Sequence, residues 1–238
     1  MRKIFPPLTA TTRTGYALGL LIFIRAFFNG ALPLMDKTEA RYGEIARLMV
    51  ETGDWVVLQI DYGIPFWAKP PLSTWASALS ISLFGTHEFF VRLPYLLACL
   101  VLVLLVGRYR PNKEMSIFLP GLVLFSLPEF FLHAGVVSTD TFLSLSIALV
   151  MLSFWEGIHE NRSPLWRYLL FVGMGLGLLA KGPIVGILTV PPILLWCALS
   201  DFKWKSLLSF PIVIGALISL GIAVPWYVWA EMHSPGFI

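Results

Sequence analysis

Seven apolar runs dominate the chain, at residues 14–33, 93–108, 116–133, 141–157, 167–180, 184–200 and 207–229. Crossing a hydrocarbon core of about 30 Å takes roughly 20 residues of helix, and these runs approach or reach that length. Backbone polar groups in lipid must be satisfied within the structure, which leaves helices or a closed barrel. A barrel would show alternating strands of roughly ten residues, whereas these runs are continuous. The expected fold is therefore all-α, a polytopic transmembrane helical bundle of about seven spans. With 57% hydrophobic and 13% charged residues, a soluble domain is excluded. Arg2, Lys3 and Arg13 precede an apolar run too long for a signal peptide, which reads as an uncleaved first span.

Other classes find little support. Cys99 and Cys197 lie inside apolar runs, where a free thiol acts as a small hydrophobe. His133 and His233 lack the spacing of a metal site. No cofactor is indicated; a divalent metal is compatible with the sequence but has no ligand pattern to support it. The net charge of +3 comes without a basic stripe, so no nucleic-acid partner is expected.

Residues 71–86 are apolar but rich in serine, and whether they cross the membrane inverts every later loop. If they do not cross, ten loop Lys and Arg residues fall inside and six outside; if they cross, five fall inside and eleven outside. The positive-inside rule selects the non-crossing topology, with this stretch as an interfacial or re-entrant helix. The chain then divides into a first span (1–33), an outer loop with amphipathic juxtamembrane helices (34–92) and six further spans (93–238). Asp36, Glu39, Arg41, Lys69, Asp140, Lys181, Glu231 and His233 all emerge on the outer face, as do ten of the fourteen acids.

Each of these residues also has a plain structural reading. Asp36 and Glu39 fit a capping box, Ser138 to Asp140 can cap the following helix, and Lys181 suits a helix C-terminus. Arg41 and Lys69 suit a phosphate, substrate or headgroup alike; Pro70 and Pro71 restrict the backbone around Lys69. Gly173, Gly175 and Gly177 permit close helix contacts. Arg25, inside the first span, needs a partner or an aqueous cavity. Glu129, nearer a helix end, can pair with a cation of the outer surface. Trp55, Trp67, Trp75, Trp226, Tyr227 and Trp229 suit an interfacial aromatic belt or sugar stacking.

Taken in order, Asp36-x-x-Glu39-x-Arg41-Tyr42-x-Glu44-Ile45-Ala46, Gly53-Asp54-Trp55, Lys69-Pro70-Pro71-Leu72 with Trp75, Val91-Arg92-Leu93-Pro94, Thr139-Asp140, Ala180-Lys181-Gly182-Pro183 and Pro225-Trp226-Tyr227 resemble the lipid-linked glycosyltransferases of the GT-C class. Within it the sequence is most similar to the lipid A aminoarabinose transferases and the protein mannosyltransferases. The resemblance implies a polyprenyl-phosphate sugar donor, a lipid or protein acceptor and inverting transfer on the outer face of the cytoplasmic membrane. It implies Asp36, Glu39 and Asp140 as catalytic carboxylates, and Arg41, Tyr42, Lys69 and Lys181 as ligands of the lipid phosphate. Ala68 stands where relatives often carry an acid. Relatives of about twice this length imply an amino-terminal half, with a second polypeptide as a candidate partner. The alternative is a non-catalytic lipid-binding membrane subunit.

Overall fold

The computed structural model of the protein describes residues 9–109, 115–159, 163–200 and 204–236. Arg2, Lys3, Arg110, Lys113, Arg162 and Lys203, which entered the sidedness count, lie outside them. The described residues form an all-α membrane fold of ten α-helices and one two-stranded hairpin.

Among the described residues, four helices are long and apolar enough to cross a membrane: α1 (Ala10–Ala31), α4 (Glu88–Gly107), α7 (Thr139–Gly157) and α10 (Ile212–His233). Two more of the seven runs form the shorter helices α8 (Leu165–Lys181) and α9 (Ile184–Leu199), joined only by Gly182 and Pro183. At 17 and 16 residues they rise about 25 Å each.

The run at 116–133 does not form one helix. It breaks into α5 (Leu119–Ser126) and α6 (Pro128–His133), because Pro128 has no N–H for a continuing ladder and holds Leu127 extended. Where α6 ends, the Ala134 carbonyl accepts from Arg25 Nε and that of Leu132 from Arg25 Nη2, each at 2.6 Å. This answers why a guanidinium sits in the first span. It satisfies carbonyls at the C-terminal end of α6, where helical donors run out and each buried unpaired group would otherwise cost several kcal/mol, roughly. Gly135, at φ +103°, leaves room for Asn29: a Cβ here would lie 1.9 Å from Asn29 Nδ2.

Helix α8 is the hub of the second half. Its three glycines face three neighbours: a Cβ on Gly173 would meet Val150 of α7, on Gly175 Ile222 of α10, and on Gly177 Val185 of α9, all at 2.9 Å or less. The glycines therefore let three backbones approach one helix at once.

Between α1 and α4 lie α2 (Lys37–Thr52), a hairpin of β1 (Gln59–Asp61) and β2 (Ile64–Pro65), and α3 (Leu72–Phe84). Helix α2 buries Glu39, Tyr42, Ile45, Ala46 and Met49, the 3–4 spacing of a one-faced helix. Helix α3 does not run the length of the bundle. The Tyr95 hydroxyl donates to the Ser73 carbonyl at 2.9 Å, Ser77 donates to Val91 at 3.2 Å and Ser80 to Phe90 at 2.6 Å. Both ends of α3 thus rest on the N-terminal part of α4, with the hydroxyls of Ser77 and Ser80 bonded there. Trp75 and Trp226 fasten the segment leading into the hairpin, their indoles donating to the carbonyls of Trp55 at 2.7 Å and Val56 at 2.9 Å. Trp226 is a core residue; Trp67 and Trp229 remain exposed.

Candidate functional site

The site forms where α2, the strap 134–138 and the facing ends of α7 and α8 meet. Asp36 is the N-cap of α2: its Oδ1 accepts from the backbone N–H of Thr38 at 2.8 Å and of Glu39 at 3.1 Å. Those N–H groups hold the exposed Asp36 carboxyl below the ordinary value of 3.8, since they stabilise its ionised form.

Glu39 does not return the bond as a capping box would. It turns inward to Arg92, with Nε to Oε1 at 2.8 Å and Nη2 to Oε2 at 2.7 Å, both side chains about 5% exposed. Arg92 also donates to the carbonyls of Asn29, Leu32 and Pro33, while Glu39 Oε1 receives the Val137 N–H at 3.3 Å. One buried pair therefore ties together the end of α1, α2, α4 and the strap leading to Asp140. Both carboxylate oxygens of Glu39 are thus engaged within the fold. Arg92 lies in the Val91-Arg92-Leu93-Pro94 motif, which by sequence alone gives it no role. Its signal is an ion at the edge of an apolar run, related to that of Arg25, an ion within one.

Asp140 lies in the first turn of α7, whose N-cap Ser138 accepts the Asp140 N–H at 3.1 Å. Its Oδ1 accepts from Lys181 Nζ at the end of α8, and Lys69 adds its field to the same carboxylate. Tyr42 feels Asp140 from α2, and burial pushes its phenol above the ordinary value of 10.0, so it stays a neutral donor. Its ring stands edge-on to Phe66 at 5.9 Å.

The fold thus joins Tyr42, Lys69, Asp140 and Lys181 in one cluster. Asp36 and Arg41 stand on the exposed side of the same α2, and Arg41 has no ion-pair partner among the described residues. Glu129 meets His133, Oε1 to Nδ1 at 3.3 Å, and no cation of the site. No cluster of three metal-ligating side chains forms among the described residues.

Fold and site together define a membrane-embedded helical protein with a cationic and acidic cluster gathered at one end of its bundle. The chain belongs to the dolichyl-phosphate-mannose-protein mannosyltransferase family, which it matches over residues 22–238. It is 31% identical over 213 residues to an undecaprenyl phosphate-alpha-4-amino-4-deoxy-L-arabinose arabinosyl transferase of Edwardsiella ictaluri, covering 86% of this chain and 38% of that one. Its identity to the transferase of the same description from Aeromonas salmonicida is 30% over 215 residues, again 86% and 38%. The crystal structure of ArnT from Cupriavidus metallidurans bound to undecaprenyl phosphate superposes with a TM-score of 0.87 at 23% identity, covering 96% of this chain and 43% of that one. The chain spans about two-fifths of the length of the relatives it matches.

Proposed function

We propose that the chain carries the donor-binding part of a membrane glycosyltransferase that moves a sugar from a polyprenyl-phosphate donor to a lipid, such as a lipid A-like acceptor, or to a protein. The supporting observation is the convergence of Lys69, Asp140, Lys181 and Tyr42 from separate elements, together with membership of a lipid-linked transferase family. In this reading the site faces the outer side of the cytoplasmic membrane, in keeping with the charge asymmetry of the loops.

The chemistry follows from the leaving group. An acceptor oxygen attacks the anomeric carbon from the face opposite the phosphate; the bond from that carbon to the phosphate oxygen breaks, and its electrons leave with the phosphate. Lys69, Lys181 and Arg41 stabilise that developing charge, with Tyr42 as a neutral hydrogen-bond donor beside them. Asp140 holds Lys181 in place until phosphate competes for it. Asp36, kept ionised by its cap, orients an acceptor hydroxyl and opposes positive charge at the anomeric carbon; a carboxylate at this site takes the acceptor proton when that acceptor is a hydroxyl.

The test is transfer from radiolabelled undecaprenyl-phosphate sugar in membranes carrying the full-length protein, comparing wild type with Asp36→Asn, Lys69→Ala and Lys181→Ala. Loss of transfer with folding intact supports the reading. Unchanged transfer in all three rejects it. Retained donor binding without transfer in the wild type favours a lipid-binding subunit.

A further inference from the structure

Trp226 and Tyr227 are consecutive on α10, and neighbouring residues of a helix point about 100° apart, so the pair reaches two different segments. Trp226, 5% exposed, donates its indole N–H to the Val56 carbonyl at 2.9 Å. Two residues on, the Leu58 carbonyl accepts the Phe66 N–H at 2.6 Å, and Phe66 packs on the core that Leu58 and Trp226 share. Phe66 stands three residues before Lys69. Trp226 therefore holds the strand-like path from which Lys69 departs, and Pro70 and Pro71 limit what the backbone can do just beyond it.

Tyr227 turns the other way. Its hydroxyl donates to the Leu178 carbonyl at 3.1 Å, one of the last four carbonyls of α8, which have no N–H partner farther along the helix. The same carbonyl accepts the N–H of Gly182, the C-cap, at 2.9 Å. Gly182 is at φ +73°, and a Cβ there would stand 3.7 Å from the Tyr227 oxygen, so the hydroxyl lies against the turn itself. Lys181 belongs to that turn. The two rings brace each other edge to face, 5.0 Å between centroids.

We infer that Trp226 and Tyr227 are positioning residues for the donor phosphate: from one helix they fix the separation of Lys69 and Lys181. The inference rests on the proposed function, in which both lysines stabilise the phosphate. Both already act on one carboxylate, Asp140, and cations that converge on a single anion must keep their spacing to about 0.5 Å. The lysines come from segments far apart in the chain, and α10 is the element bonded to both of those segments through adjacent side chains.

Binding of undecaprenyl phosphate to the full-length protein in nanodiscs tests this, alongside thermal unfolding of each variant. Tyr227→Phe removes one oxygen and keeps the ring. It should weaken binding by about fivefold, the worth of one neutral hydrogen bond, in the wild-type and Lys69→Ala backgrounds, and cause no further loss in the Lys181→Ala background. Trp226→Phe should show the reverse pattern, a loss in Lys181→Ala and none added to Lys69→Ala. A merely structural pair would lower the unfolding temperature alike in every background and leave the affinity of the folded protein unchanged, which overturns the inference. So does a Tyr227→Phe loss that persists undiminished in Lys181→Ala. Should Trp226→Phe not fold, Tyr227→Phe decides on its own. If Lys69→Ala and Lys181→Ala themselves bind undecaprenyl phosphate as the wild type does, the donor reading fails and this inference with it. If they weaken binding and the aromatic variants do not, only this inference falls.

Discussion

Two ion pairs stand at the same end of this bundle and serve opposite purposes. Glu39–Arg92 is sealed, with both side chains about 5% exposed and further hydrogen bonds to three carbonyls and one N–H. Asp140–Lys181 is open, its side chains 56% and 28% exposed. Breaking a buried pair leaves an uncompensated charge, so it acts as a structural bolt. An exposed pair contributes little to stability and can trade its partner for a substrate. The strap 134–138 joins the two, which couples the rigidity of one to the placement of the other.

The largest effect expected is from Arg92→Ala. It strands Glu39 and should cost about 3–5 kcal/mol, read by thermal unfolding in detergent. The double variant Glu39→Ala with Arg92→Ala should recover part of that loss. Full additivity of the two single changes would break the contrast drawn here.

Gly135→Ala comes next. The new methyl overlaps Asn29 at a positive φ, so about 1–3 kcal/mol of stability should go. Transfer should fall further than stability does, because the strap carries Asp140; equal losses would show that the two pairs are uncoupled.

For the open pair the expected pattern reverses. Asp140→Asn and Lys181→Ala should change stability by less than about 1 kcal/mol. Lys181→Ala should weaken retention of undecaprenyl phosphate by about tenfold, the worth of one charge-assisted hydrogen bond. A lipid-binding measurement on the folded variants checks this, and a large stability loss instead would place the pair in the first class.

The smallest effect is from pH at Asp36. Its carboxyl titrates below 3.8 in the folded protein, so its contribution to α2 is present above the ordinary carboxylate value and is lost as pH falls through the lower, folded one. Protection factors for amide exchange in the first turn of α2, corrected for the intrinsic rate, should therefore be flat down to pH about 4 and fall below it. Asp36→Asn should remove that pH dependence.

Much of the architecture was legible in the sequence because apolar length and continuity are local properties. The runs that became α1, α4, α7 and α10 could be drawn without knowing what they touch, and the serine-rich 71–86 stretch, read as a helix, forms α3. The glycine spacing in α8 announced close contacts. Partners could not be read this way. Nothing in Asp36-x-x-Glu39 says that Glu39 abandons the cap for Arg92, 53 residues on, or that Arg25 closes the end of α6. Trp75 and Trp226 looked like belt residues, since an indole reads alike at a membrane surface and in a core.

By itself, then, the sequence determined that this protein is a membrane-embedded helical bundle carrying acids and cations at one end, because burial of apolar backbone in lipid admits no other continuous-run solution. Only the tertiary structure decided which ions close on one another and which stay open. Ion pairing depends on distances and burial set by segments far apart in the chain, and the period of a helix carries no record of them.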